Sequence, residues 1–283
     1  MREWGCDAVH REKDGLSFHD GERSIIAFVE KRAQVSGIKM AENPERSLNM
    51  QEIKGSFREK VEIFTRNSLF IAAVIIVGLL LSVFAGQLGT LLFYIVVLIT
   101  LWATKWDWKS FGITRPNWPE TIGKAFLFAI GILILNDFFI QPLIEFRFGK
   151  VDLSEVSAIE GNLLNFVLFI LLGWVLGGFC EEIIYRGYIL KRLAKILGDT
   201  KRAWLLSAII AAIVFGIGHS YQGASGILAT AVIALLFGLI FAFNRNNLFV
   251  LVLTHGIYNT IAITMIYLGK ARMIIDWVQG FIK

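Results

Sequence analysis

Two cysteines, Cys6 and Cys180, in 283 residues are too few for a disulfide framework. Cys180 stands in an apolar run, where a thiol stays protonated and inert, so it is set aside as a nucleophile. No apolar h-region stands near Met1, so no cleavable signal peptide is expected. Long basic runs are absent as well, which excludes a nucleic-acid surface. Histidine is scarce, at four residues, and no H-E-x-x-H occurs, so the helix-borne zinc-protease motif is missing. Cys6, His10 and His19 match no zinc-module spacing.

What the chain does have is hydrocarbon. It is 55% hydrophobic, 18% charged, with mean hydropathy +0.62, the composition of a polytopic membrane protein. Residues 1–66 carry twelve basic and twelve acidic residues, so the whole excess of +5 falls in 67–283. The first stretch reads as a polar cytosolic extension with one amphipathic segment, Ile25 to Val35. The second reads as an all-α membrane domain whose core motifs lie in 181–259.

Its apolar runs predict seven spans: Ser68 to Ala85, Leu91 to Trp102, Ala125 to Ile140, Leu163 through Leu197, Ala203 to His219, Ile227 to Phe243 and Leu248 to Leu268. The tail Met273 to Ile282 is either an interfacial helix or an eighth crossing. Basic residues crowd the connections at Lys105 to Arg115, Lys191 to Arg202 and Arg245, with Trp102, Trp106, Trp108 and Trp118 beside the first. By the positive-inside rule these are cytosolic and the amino terminus is inside. The acidic connector Glu145 to Glu160 is then outer, with Lys270 and Arg272 a mild exception. In a prokaryotic host the membrane is the plasma membrane.

The organising stretch is Glu181-Glu182-Ile183-Ile184-Tyr185-Arg186, three ionisable side chains in an apolar run. A charge at the bilayer centre costs roughly 2.5 to 3.5 kcal/mol, so such residues face a protein interior or a wet cavity. Glu182 and Arg186 are spaced for an ion pair, and Glu181, off that face, is left free to exchange a proton. His219 ends Phe215-Gly216-Ile217-Gly218-His219, and His255 lies four residues before Asn259, on one helical face with it. Counting along the helices from the turns at 198 and 245 brings Glu181, His219, His255 and Asn259 to similar depth. Peptide hydrolysis needs a base for water, an acid for the amine and a donor for the oxyanion. Glu181 with His219 can activate water, and His255 with Asn259 can donate. The alternative is zinc held by Glu181, His219 and His255. Two other classes fit such polar groups: a proton or ion pathway that adds Asp137, and a non-catalytic immunity or scaffold protein.

Three motifs, E-E-x-x-x-R at Glu181 to Arg186, F-x-x-x-H at Phe215 to His219 and H-x-x-x-N at His255 to Asn259, together resemble the CAAX prenyl endopeptidases of the Ras-converting type and their prokaryotic relatives, the CPBP or Abi intramembrane proteases. The resemblance covers about residues 67–270. It implies a membrane helix bundle with a cytosol-facing intramembrane cavity. Glu181 and His219 would be the water-activating pair, His255 and Asn259 the oxyanion site, and Glu182, Arg186 and Phe215 supporting residues. Substrates would be membrane-associated or lipid-modified peptides, no nucleic acid is involved, and a metal-free, glutamate-type mechanism is favoured over zinc.

Overall fold

The computed structural model describes residues 56–86, 88–245 and 247–282. The segment Ile25 to Val35 and the trio Cys6, His10 and His19 lie outside the described residues. Among those described, every regular element is helical, and Phe57–Lys283 forms one compact unit.

The helices follow from apolar composition closed by polar caps. α1 (Phe57–Arg66) comes from the end of the polar extension and packs on α3 (Leu88–Ala103), where Arg58 donates through Nε to the Trp102 carbonyl at 2.8 Å. α2 (Ser68–Ala85) begins where the Asn67 side chain accepts from the Leu69 and Phe70 amides. It runs antiparallel to α3, since Gly78 faces the Phe93 ring and Gly89 faces Ser82. α4 (Trp118–Phe148) is longer than its apolar run predicts. Pro142 does not end it. A π-helical turn, Asn136–Ile140, sits just before the proline, and such a bulge relieves the clash and the missing N–H that would break an ordinary helix.

α5 (Leu163–Ile196) is capped by Asn162 and continues past Gly178, as the pattern predicts. Between Gly173 and Leu190 it is π-helical except at Glu182. α6 (Lys201–Gly218) starts on the Thr200 hydroxyl. His219, expected inside this helix, is instead its carboxyl cap with φ −101°. α7 (Gly223–Phe243), α8 (Leu248–Tyr267) and the short α9 (Met273–Ile282) complete the bundle. Six of these helices are long and apolar enough to cross a membrane, and α3 and α9 are shorter apolar helices. Outward-facing Leu80, Leu98, Leu127, Leu171 and Ile213 stay exposed, as lipid contact requires.

The connections gather at two ends. At one, the Lys191 ammonium donates to the Lys109 carbonyl (3.3 Å), Arg245 meets Asp199 (3.7 Å), and the Leu248 amide donates to the Gly112 carbonyl (2.9 Å). At the other, the Asp152 amide donates to the Gln222 carbonyl and the Gly161 amide to the Tyr267 carbonyl, each at 3.0 Å. The packed core of Phe93, Phe111, Tyr188, Phe237 and Phe241 lies among the helices.

Candidate active site

Glycines set how closely α5 and α8 approach. A Cβ on Gly178 would stand 3.1 Å from the Val252 carbonyl oxygen, and Gly256 has the Trp174 ring against it. Only hydrogen side chains allow that approach. Trp174 Nε1 donates to Thr260 Oγ1 at 3.0 Å and pins the pair. Opposite, Gly216 on α6 meets Ala231 and the Ile227 carbonyl of α7, the close helix approach that its glycines suggest.

Into this frame α5 delivers two carboxylates with different surroundings. Glu182 is fully buried, and Arg186 is 2% exposed. Arg186 Nη1 donates to Glu182 Oε1 at 2.9 Å, the pairing expected from their spacing, and Nη2 donates to the Ala234 carbonyl at 3.1 Å. The guanidinium is sandwiched between Phe215 and Phe237, its Cζ 5.3 and 5.1 Å from the ring centroids. His255 Nδ1 lies 2.8 Å from the same Oε1. Sequence reasoning missed this contact. The i,i+4 spacing pairs Glu182 with arginine alone, yet it also orients an imidazole across 73 residues of chain, a pairing no local spacing announces.

Glu181 is only partly buried, and its Oε2 lies 4.0 Å from His255 Nε2. His255 therefore stands between the two glutamates, one on each ring nitrogen. The His219 Nδ1 lies 2.9 Å from the Phe215 carbonyl oxygen, and its ring packs against the Phe215 ring, centroids 4.5 Å apart and planes tilted by 32°. A carbonyl only accepts, so Nδ1 carries the proton and Nε2 is left with a lone pair. Asn259 Nδ2 donates to the Gly173 carbonyl at 3.0 Å, and a Cβ on Gly177 would come within 2.5 Å of that nitrogen. The amide keeps a second N–H.

All these groups except the enclosed Glu182 line one cavity of about 670 Å3, a size that suits a peptide segment. Glu181, Arg186, Phe215, His219, His255 and Asn259 stand in its wall, with Asp137, Tyr221 and Tyr258. Asp137 comes from the π-helical turn of α4. Among the described residues no group of three His, Cys, Asp or Glu side chains is placed to hold a metal ion. Each histidine has its Nδ1 engaged, His219 with the Phe215 carbonyl and His255 with Glu182, which leaves Nε2 as the nitrogen of each ring available to water or a ligand. Cys180 is half-buried beside Glu181 and stays a free thiol.

Residues 163–261 match the family model of the type II CAAX prenyl endopeptidases, Rce1-like. The matched stretch begins with α5, ends in α8 and contains all three motifs. No curated protein and no solved structure matches the chain.

Proposed function

With a segment of the Rce1-like CAAX endopeptidase family at the centre of an integral multi-pass membrane protein, we propose that the chain hydrolyses a peptide bond of a membrane-associated or lipid-modified protein, using Glu181, His219, His255 and Asn259 and no metal. The observation that carries the reading is the 4.0 Å approach of Glu181 to His255 in a cavity wall that also holds His219 and Asn259.

Glu181 accepts one proton of a water whose other O–H donates to the lone-pair Nε2 of His219, as the water oxygen attacks the scissile carbonyl. The developing oxyanion receives the second Asn259 N–H and the Nε2–H of a protonated His255, whose Nδ1 is held by Glu182. The C–N bond then breaks, and the proton gained by Glu181 passes to the leaving amine. Arg186 and His255 share Glu182 Oε1, so the imidazole orientation is set before substrate arrives.

Purified protein, analysed for bound metal, is assayed on a quenched prenylated peptide. Glu181→Gln and His219→Ala are each expected to cut the rate by about 10²- to 10⁴-fold with folding retained. Full cleavage by both variants would remove the mechanism, and cleavage that disappears with chelation and returns with zinc would restore the metal alternative.

A further inference from the structure

The two ends of the bundle differ in charge, and the cavity belongs to one of them. The end formed by the connections after α3, α5 and α7 carries Lys105, Lys109, Arg115, Lys191, Arg192, Lys195, Lys201, Arg202 and Arg245 against Asp107 and Asp199. The other end, formed by 149–162, Ser220–Gln222 and 268–272, carries Lys150, Lys270 and Arg272 against Asp152, Glu155 and Glu160. Contacts within each group of connections hold the division in three dimensions.

The cavity wall draws on the second end alone. Beyond Glu181 and His255 it runs to Val151, Leu153, Tyr221, Gln222, Lys270 and Arg272, and includes none of the nine basic residues of the first. His219 lies toward the same end, because it closes α6 and leads directly into the Ser220–Gln222 turn, where Ser220 and Tyr221 are exposed. Short loops rich in Lys and Arg are retained on the cytosolic side during insertion. We infer that the cavity is entered from the non-cytosolic face, and that its substrates are peptide segments presented there, such as the translocated part of a membrane-anchored or exported protein.

This rests on the hydrolytic reading for the word substrate, but not for the direction of entry. The cytosol-facing cavity implied by family resemblance and the charge distribution assign opposite sides, and the structure fixes which residues report on each. Single cysteines at Ser154 and Lys201, both exposed, are placed in a chain with Cys6 and Cys180 replaced by alanine. Should that background fail to fold, the same pair is made in the native chain with its own labelling subtracted. In sealed right-side-out vesicles a membrane-impermeant maleimide is expected to label Ser154→Cys fully and Lys201→Cys only after permeabilisation. The quenched peptide added outside is expected to be cut without permeabilisation. Labelling in the reverse order overturns the inference while leaving the hydrolytic reading standing. Labelling as expected with no hydrolysis even after permeabilisation leaves the direction of entry and removes the enzyme.

Discussion

At the scale of single residues, the site rests on one buried carboxylate shared by a guanidinium and an imidazole. Glu182 Oε1 faces both Arg186 and His255, at 2.9 and 2.8 Å, in a position without solvent. Glu182→Gln takes the negative charge away from a buried guanidinium, and losing one partner of such a pair costs about 3 to 5 kcal/mol. A fall of that size in unfolding free energy in detergent is expected, together with weakened cleavage because His255 loses its charged acceptor. Gly177→Ala is a gentler probe. Its Cβ would stand 2.5 Å from Asn259 Nδ2, so the amide must move off the Gly173 carbonyl and out of register with His255. The expected outcome is a fall of about 10- to 100-fold in cleavage rate, the range of a displaced catalytic donor, with far less change in thermal midpoint. An equal loss of both would reduce Gly177 to a packing residue.

At the scale of elements, π-helical backbone accompanies the cavity. The turn Asn136–Ile140 in α4 brings Asp137 to the wall, and the stretch Gly173–Glu181 in α5 brings Glu181. Such widened turns re-aim side chains without ending a helix, at the cost of poorer backbone bonding. The far end of α4 is held by a polar chain. Gln141 donates to Glu145 at 2.9 Å, and Glu145 receives both Arg272 nitrogens at 2.9 and 2.7 Å. Arg272 also reaches Asp276 on α9 at 2.8 Å, so one guanidinium in the cavity wall ties the last helix to α4. Arg272→Ala leaves a buried carboxylate unpaired and is expected to destabilise the protein by about 3 kcal/mol, measured by thermal unfolding in detergent. The double variant Arg272→Ala with Glu145→Gln is expected to recover part of it, since no unpaired charge remains.

At the scale of the whole molecule, a lipid-facing coat of leucine, isoleucine and phenylalanine surrounds a polar centre that lines a cavity of about 670 Å3. The coat fixes the protein in the bilayer, and the asymmetry of the loops fixes which way up it stands. The labelling of Ser154→Cys and Lys201→Cys belongs to this scale, because no single residue sets orientation and every basic loop contributes to it.

The amino-acid sequence by itself determined that the apolar runs become helices and singled out the polar groups that meet in the cavity wall. α2 coincides with the predicted Ser68 to Ala85, and α5 runs through Arg186 as its uninterrupted apolar pattern requires. Burying charge in hydrocarbon is so costly that Glu181, Glu182, Arg186, His219 and His255 announce themselves in one dimension. Tertiary structure alone decided what each of them touches: that Glu182 holds His255 as well as Arg186, that His219 closes a helix and spends Nδ1 on a carbonyl, and that Asp137 shares the cavity with Glu181. The physical reason is range. Hydropathy and i,i+4 pairing are local and repeat along the chain, whereas π-helical turns rotate side chains off the regular period, and contacts between helices depend on which glycines let two backbones meet.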